Sequence, residues 1–407
     1  MTDALRVYYG GFLKASMSPL GLDFGHCGRC VYCFSDLSGQ AKVNIKQAMA
    51  LLANYRDRET LVGKLLQEKY PVMISGTSDP FTPQHAKVSL PIIEVLSELG
   101  IRVEIATKGG AAAYTALEII PNKSHWYISL ALWDDKIRER IEPYAPTVKE
   151  RLDLVETLAA AGNIVTVGIS PILADWLPDN HPELLVKELK SRGVHGCRVQ
   201  LMHLSPKHKK NLSKDWLSRI TADELAKGSQ AFRYPEQAAM YSRIKDLVLE
   251  HGIRFIDTQI KESSDYYEAI ADLYPKRFPV MQEFVNWCHI TKDNGDVVTW
   301  EEFRDFFVPR LPKGRHFLFD YIYSSTSVNT NKQVFTHQKQ IFESLLKTIW
   351  RTPSIVTSPC NTDCFGIAGV VKESGGYTEI VNKDRMPYLI FSPEGYPNAV
   401  AECELIA

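Results

Sequence analysis

Between residues 71 and 204, short apolar runs alternate with amphipathic stretches, and this alternation constrains the fold more than any other feature of the chain. PVMISGTSDP (71–80), IRVEIATKGG (101–110), HWYISLAL (125–132), NIVTVGISPIL (163–173) and GCRVQLMHL (196–204) each read as a strand rich in Val, Ile and Leu. KVSLPIIEVLSELG (87–100), AAAYTALEII (111–120), VKERLDLVETLAAAG (148–162) and HPELLVKELKSRG (181–193) read as helices, several stopped by glycine. Near-continuous apolar strands separated by helices belong to parallel sheets covered on both faces. The pattern fits an open doubly wound sheet or a barrel. In both, ligands gather at the carboxyl ends of the strands. Neither GxGxxG nor GxxxxGK(S/T) occurs, so no phosphate-binding loop of those types anchors the reading.

After residue 205 the rhythm weakens. SPKHKKNLSK (205–214) is a basic polar stretch, and a pair of helices is expected on either side of Tyr234 and Pro235. IRFIDTQ (253–259) adds one strand, QVFTHQKQIFESLLKTIW (333–350) a helix, and GIAGVVKESGGYTEIVNK (366–383) two short strands. The expected division is therefore a core over 1–205 and an α+β accessory region over 206–407 that shapes substrate access. The chain has 407 residues, 45% of them hydrophobic, with 47 Lys plus Arg against 48 Asp plus Glu. Such a composition folds, and the near-zero charge excludes a protein that coats nucleic acid through bulk charge. The first residues lack a long apolar targeting segment, and no run of 18 apolar residues occurs. A cytoplasmic protein without membrane association is expected.

Three of the eight cysteines, Cys27, Cys30 and Cys33, lie within seven residues as GHCGRCVYCF. Three thiolates at C-x2-C-x2-C spacing can converge on one metal centre, with glycines at 25 and 28 letting the loop wrap closely. Iron–sulfur ligation, a zinc site completed by His26, and a redox loop all fit the spacing. PCNTDCF carries Cys360 and Cys364, which with Cys288 and Cys403 could build a second site for zinc or an auxiliary cluster.

A three-cysteine loop preceding these strands resembles the radical S-adenosylmethionine (SAM) superfamily. Further blocks are similar to its spore photoproduct lyase-like branch: ISGTSDPFTPQH (74–85), ATKGG (106–110) and the long block 128–173 with Glu142, Pro143, Pro146, Arg151, Leu152, Gly162 and Pro171. The superfamily motif has three residues between its first two cysteines, whereas Cys27 and Cys30 enclose two. The resemblance covers about residues 18–205. It implies an incomplete (β/α)6 barrel and a [4Fe–4S] cluster on Cys27, Cys30 and Cys33 that leaves one iron open. It also implies SAM on that iron, one-electron cleavage to a 5′-deoxyadenosyl radical, and hydrogen abstraction from a substrate. Tyr32 would pack near the adenine. Gly76, Thr77, Ser78 and Asp79 would receive the methionyl end, and Lys108, Ser129 and Arg151 would contact the carboxylate or adenosine side. Cys197 is a candidate for hydrogen transfer, and a flavodoxin or ferredoxin is the expected electron donor. The substrate stays open among a small molecule, a peptide and a nucleic acid. A DNA-lesion lyase and a nonradical iron–sulfur protein that binds nucleic acid are the alternatives, with a zinc-dependent α/β enzyme behind them.

Overall fold

The computed structural model describes residues 5–7, 20–27, 30–33, 43–58, 61–121, 123–172, 180–201, 203–204, 230–231, 235–256, 273, 284, 287–288, 290–293, 296–307, 347, 350 and 389–390. Strands β1 (Arg6–Val7) and β2 (Leu20–Leu22) are followed by helices α1 (Ile45–Ala53) and α2 (Leu61–Gln67). Then come β3 (Val72–Ile74), α3 (Ala86–Glu98), β4 (Val103–Thr107), α4 (Ala111–Ile119) and β5 (His125–Ser129). Helices α5 (Asp135–Ile141) and α6 (Val148–Ala160) lead to β6 (Ile164–Ile172), α7 (His181–Ser191) and β7 (Gly196–Leu201). The two-residue strands β8 (His203–Leu204) and β9 (Gln230–Ala231) pair antiparallel, and α8 (Pro235–Glu250) precedes β10 (Arg254–Ile256).

The main sheet has eight strands in the order β1-β2-β3-β4-β5-β6-β7-β10. β1 pairs antiparallel with β2, and the seven strands from β2 to β7 and β10 run parallel. The order has two ends, so the sheet is open rather than closed. This is the expected α/β architecture, with β10 as a seventh parallel strand beyond the six of the expected partial barrel. Both α8 and β10 lie after residue 205, the expected boundary, yet they belong to the same compact unit as β2 to β7.

Local chemistry explains where the elements begin. Thr147 caps α6 by accepting from the Glu150 backbone, while the Glu150 carboxylate accepts from the Thr147 backbone. Asp134 caps α5 and Asn44 caps α1 through bonds to the first backbone N–H groups. The inner faces of α6 and α7 bury Leu152, Leu154, Val155 and Leu158, and Leu185, Val186 and Leu189. Each such burial contributes roughly 1.5–3 kcal/mol.

Register divides the sheet into two unlike faces. Partners across parallel strands share a face, so Ala106, Tyr127, Thr166 and Gly196 form one row and Ser129, Gly168 and Arg198 the next. The other face carries Ile105, Trp126 and Val165, then Ile128, Val167 and Cys197, all buried. That apolar face is the one the helices cover. On the first face Tyr127, Ser129, Arg198 and Gln200 stay half-buried.

A second compact unit carries β11 (Val297–Val298), α9 (Trp300–Phe307) and β12 (Leu389–Ile390), with β11 and β12 antiparallel. Phe284, Phe303, Phe306 and Phe307 form an aromatic cluster there, with ring centroids 4.7–6.0 Å apart among the packed pairs. The basic stretch 205–214, the strand pair at 366–383 and, apart from residues 347 and 350, the helix at 333–350 lie outside the described residues. Among the described residues no helix is long and apolar enough to cross a membrane.

Candidate functional site

The carboxyl ends of β2, β3, β4 and β5 gather most of the residues singled out in the sequence. The cysteine loop leaves β2 through Asp23 and Gly25, the latter at φ 82°, where a side chain would be strained. Cys27, Cys30 and Cys33 are half-buried, and the Cys33 N–H donates to the Cys30 carbonyl at 3.1 Å. The loop is tied to the far side of the site by the Val31 N–H, which donates to the Ile141 carbonyl at 3.0 Å.

Burial pushes the Cys27 thiol up, opposed by a hydrogen bond from the Asp79 backbone and by the Lys108 charge. Burial also pushes Cys30 up to about 11, again opposed by Lys108 and reinforced by Glu142 and the other two cysteines. The three sulfurs therefore sit within electrostatic reach of one another. Among the described residues, no group of three His, Cys, Asp or Glu forms a ready-made metal cage. The donor set nonetheless suits an iron–sulfur cluster: three soft thiol ligands on one loop, partly withdrawn from water, beside a cation that favours the charged form of Cys27 and Cys30.

A buried polar bracket backs the loop. Glu142 and Arg151 are both 0% exposed. The Arg151 guanidinium donates to Glu142 Oε2, to the Pro146 carbonyl at 3.0 Å and to the Ser129 carbonyl at 2.9 Å. Burial pushes the Glu142 carboxyl up, opposed by Arg151. Glu142 Oε1 accepts from the Tyr32 hydroxyl and lies 3.8 Å from Lys108 Nζ, which also sits 5.7 Å from the centroid of the Tyr32 ring. Arg151 is thus committed to protein groups through all of its guanidinium nitrogens. Fully buried, Arg151 spends three of its five N–H donors on Glu142 and two carbonyls, a bracket that holds the corner behind the cysteine loop.

Asp79 is likewise engaged. Its Oδ1 accepts from the Phe81 N–H at 3.0 Å and the Thr107 hydroxyl at 2.8 Å, and its Oδ2 from the Lys108 N–H at 2.8 Å. These bonds lock the end of β4 to the turn after β3, leaving acceptor capacity on Oδ2 alone. Thr77 donates to Asp23 at 2.8 Å, and Ser78 and Ser75 share a hydroxyl pair at 2.8 Å. Gly76 sits half-buried between them. Ser129 closes the row at the end of β5, half-buried with its carbonyl on Arg151.

Cys197 is placed differently. It is 0% exposed, on the apolar face, register partner of Val167 and Phe255. Burial pushes its thiol up to about 12. Strand alternation puts this candidate for hydrogen transfer on the face opposite its neighbour Arg198, which faces the polar side. Cys288 is buried in the second unit, where burial and Glu302 push its thiol up. Cys360, Cys364 and Cys403 lie outside the described residues.

The sequence reading missed Tyr127, Arg198 and Gln200. Their signal was present as polar residues at every second position of WYIS and CRVQ, which marks one face of otherwise apolar strands.

No family model matches the chain. A curated relative, the uncharacterized protein ORF301 of Acidianus two-tailed virus, is 28% identical over 142 residues, covering 32% of this chain and 46% of that protein. The chain thus spans about half the length of this relative. Among solved structures, the chain is similar to spore photoproduct lyase complexed with dinucleoside spore photoproduct, at 16% identity and TM-score 0.42, over 57% of this chain and 74% of that chain. It is similar to a radical SAM methyltransferase from Sphaerobacter thermophilus at 16% identity and TM-score 0.38, over 58% of this chain and 64% of that chain. It is also similar to SuiB of Streptococcus suis bound to S-adenosylmethionine, at 14% identity and TM-score 0.38, over 61% of this chain and 52% of that chain.

Proposed function

We propose that the protein is a radical SAM enzyme in which Cys27, Cys30 and Cys33 hold a [4Fe–4S] cluster. The observation that carries this reading is the placement of three mutually interacting, half-buried thiols on one loop at the carboxyl end of the first parallel strand, ringed by Asp79, Lys108 and Glu142. When bound, such a cluster would supply the electron for reductive cleavage of SAM. The protein's own part is to bind and orient. Lys108 lowers the cost of charge on Cys27 and Cys30, and its Nζ offers a cation to a ligand carboxylate. Gly76 and Asp79 offer a turn and an acceptor for an ammonium group, and Ser129 a hydroxyl on the row above. Tyr32, held by Glu142, fixes the middle of the cysteine loop, and Arg151 fixes Glu142.

Anaerobic reconstitution tests the reading. The wild-type chain is expected to hold about four iron and four sulfide and to release 5′-deoxyadenosine after chemical reduction with SAM. Replacing Cys27, Cys30 or Cys33 with Ala should abolish both. Full iron and 5′-deoxyadenosine in any one variant refutes the ligand assignment, and zinc in place of iron refutes the enzyme class.

A further inference from the structure

Three hydrogen-bond donors on the polar face of β5 to β7 remain outside the roles described so far. Arg198 makes no hydrogen bond or ion pair among the described residues, although it is half-buried. Its register partner is Gly168 on β6, about 4.8 Å away across the sheet. Gly168 is open because Tyr127 fills the space: a Cβ there would land on the Tyr127 hydroxyl and ring end. The phenol therefore lies over Gly168, one strand from Arg198. Burial pushes the Tyr127 hydroxyl up, opposed by the charges of Arg198 and Lys108. The Tyr127 hydroxyl makes no hydrogen bond among the described residues. Gln200, two residues along from Arg198 on the same face, accepts from the Ser170 hydroxyl at 3.2 Å through its oxygen and keeps its amide N–H groups free among the described residues.

The carboxylates near this face are engaged elsewhere. Asp23 accepts from Thr77, Glu142 is held by Arg151, Lys108 and Tyr32, and Glu104 is buried on β4 with a partner of its own. A guanidinium, a phenol and an amide on one face of neighbouring strands, with these three described carboxylates already engaged, match an oxyanion.

We propose that Arg198, with the Tyr127 hydroxyl and the Gln200 amide, forms a subsite for an anionic group of the substrate, a carboxylate or a phosphate. Calling the occupant a substrate rests on the proposed radical SAM function; the anion site itself rests on the geometry of β5 to β7. A substrate carrying such a group would be anchored on β6 and β7, while Lys108 and the cysteine loop sit at the ends of β4 and β2.

The test is binding of inorganic phosphate and of acetate to the full-length chain, followed by titration calorimetry and by phosphorus NMR for phosphate. Saturable binding of one of them at millimolar concentration is expected, and the tighter of the two names the group. Arg198→Gln should weaken it by at least about tenfold, the range for a charged hydrogen bond. Arg198→Lys should recover part of the loss, and Tyr127→Phe should weaken binding about threefold by removing one neutral donor. Absence of saturable binding of both anions overturns the subsite. Unchanged affinity in Arg198→Gln overturns it as well. Displacement of the anion by SAM would assign Arg198 to SAM and overturn the substrate subsite. Iron and sulfide counts on the same wild-type sample separate the two readings. Arg198-dependent anion binding without a cluster keeps the subsite and refutes the radical SAM function. A cluster with 5′-deoxyadenosine but no Arg198-dependent binding refutes the subsite alone.

Discussion

Arg151→Met should be among the most destabilising single substitutions in the first unit. The side chain is 0% exposed and gives up three bonds: to Glu142 Oε2, to the Pro146 carbonyl at 3.0 Å and to the Ser129 carbonyl at 2.9 Å. Methionine fills similar volume, so the loss is mainly electrostatic. It leaves Glu142, also fully buried, with the more distant Lys108 as its remaining cation at 3.8 Å. Removing one partner of a buried pair costs about 3–5 kcal/mol, because the survivor keeps its desolvation penalty. Adding Glu142→Gln should return part of this, since the orphaned charge disappears; a coupling of about 2 kcal/mol is expected between the two sites. Urea unfolding followed by tryptophan fluorescence reads both, with buried Trp126 on β5 as a reporter in the same unit. An Arg151→Met cost below about 1 kcal/mol, or strict additivity with Glu142→Gln, would show that the pair does not hold this corner of the fold. Glu142 also accepts from Tyr32, so the same single variant should retain less iron after reconstitution than wild type.

Two further outcomes follow from the sheet. Gly168→Ala places a methyl group where the Tyr127 ring end lies, and should cost about 1–3 kcal/mol of overpacking. Combining it with Tyr127→Ala should be markedly less than additive in thermal unfolding, and full additivity would mean that the two positions do not meet. Burial drives His125 down to about 4 from its ordinary 6.5, so the folded state binds its proton less readily than the unfolded state. The resulting stability is fully present above pH 6.5 and is lost as pH falls through about 4, a difference of about 3 kcal/mol. His125→Gln should flatten the pH dependence of stability across that window, and an unchanged slope would refute the buried neutral imidazole.

Apart from the short helix α5, the order of strands and helices from Val72 to Leu201 was legible in the sequence, because apolar runs and helical spacing are local signals that each segment carries by itself. The cysteine loop was legible for the same reason: C-x2-C-x2-C places three thiols together over a few residues whatever the rest of the chain does. Lys108 and Tyr32 do flank the loop, but Arg151 turns inward to Glu142, nine residues before it in sequence and fully buried with it. A sequence gives the two charges without saying that both leave water. Cys197 and Arg198 make the same point more sharply. They are adjacent in the chain, yet strand alternation sends one into the apolar face and the other to the polar one, and only pairing with β6 says which. The sequence by itself determined the α/β alternation and the thiol loop, whose causes lie within short stretches of chain. The tertiary structure decided which charges are buried, which sheet face stays open, and that β10 joins the core, because burial and register depend on partners distant in sequence.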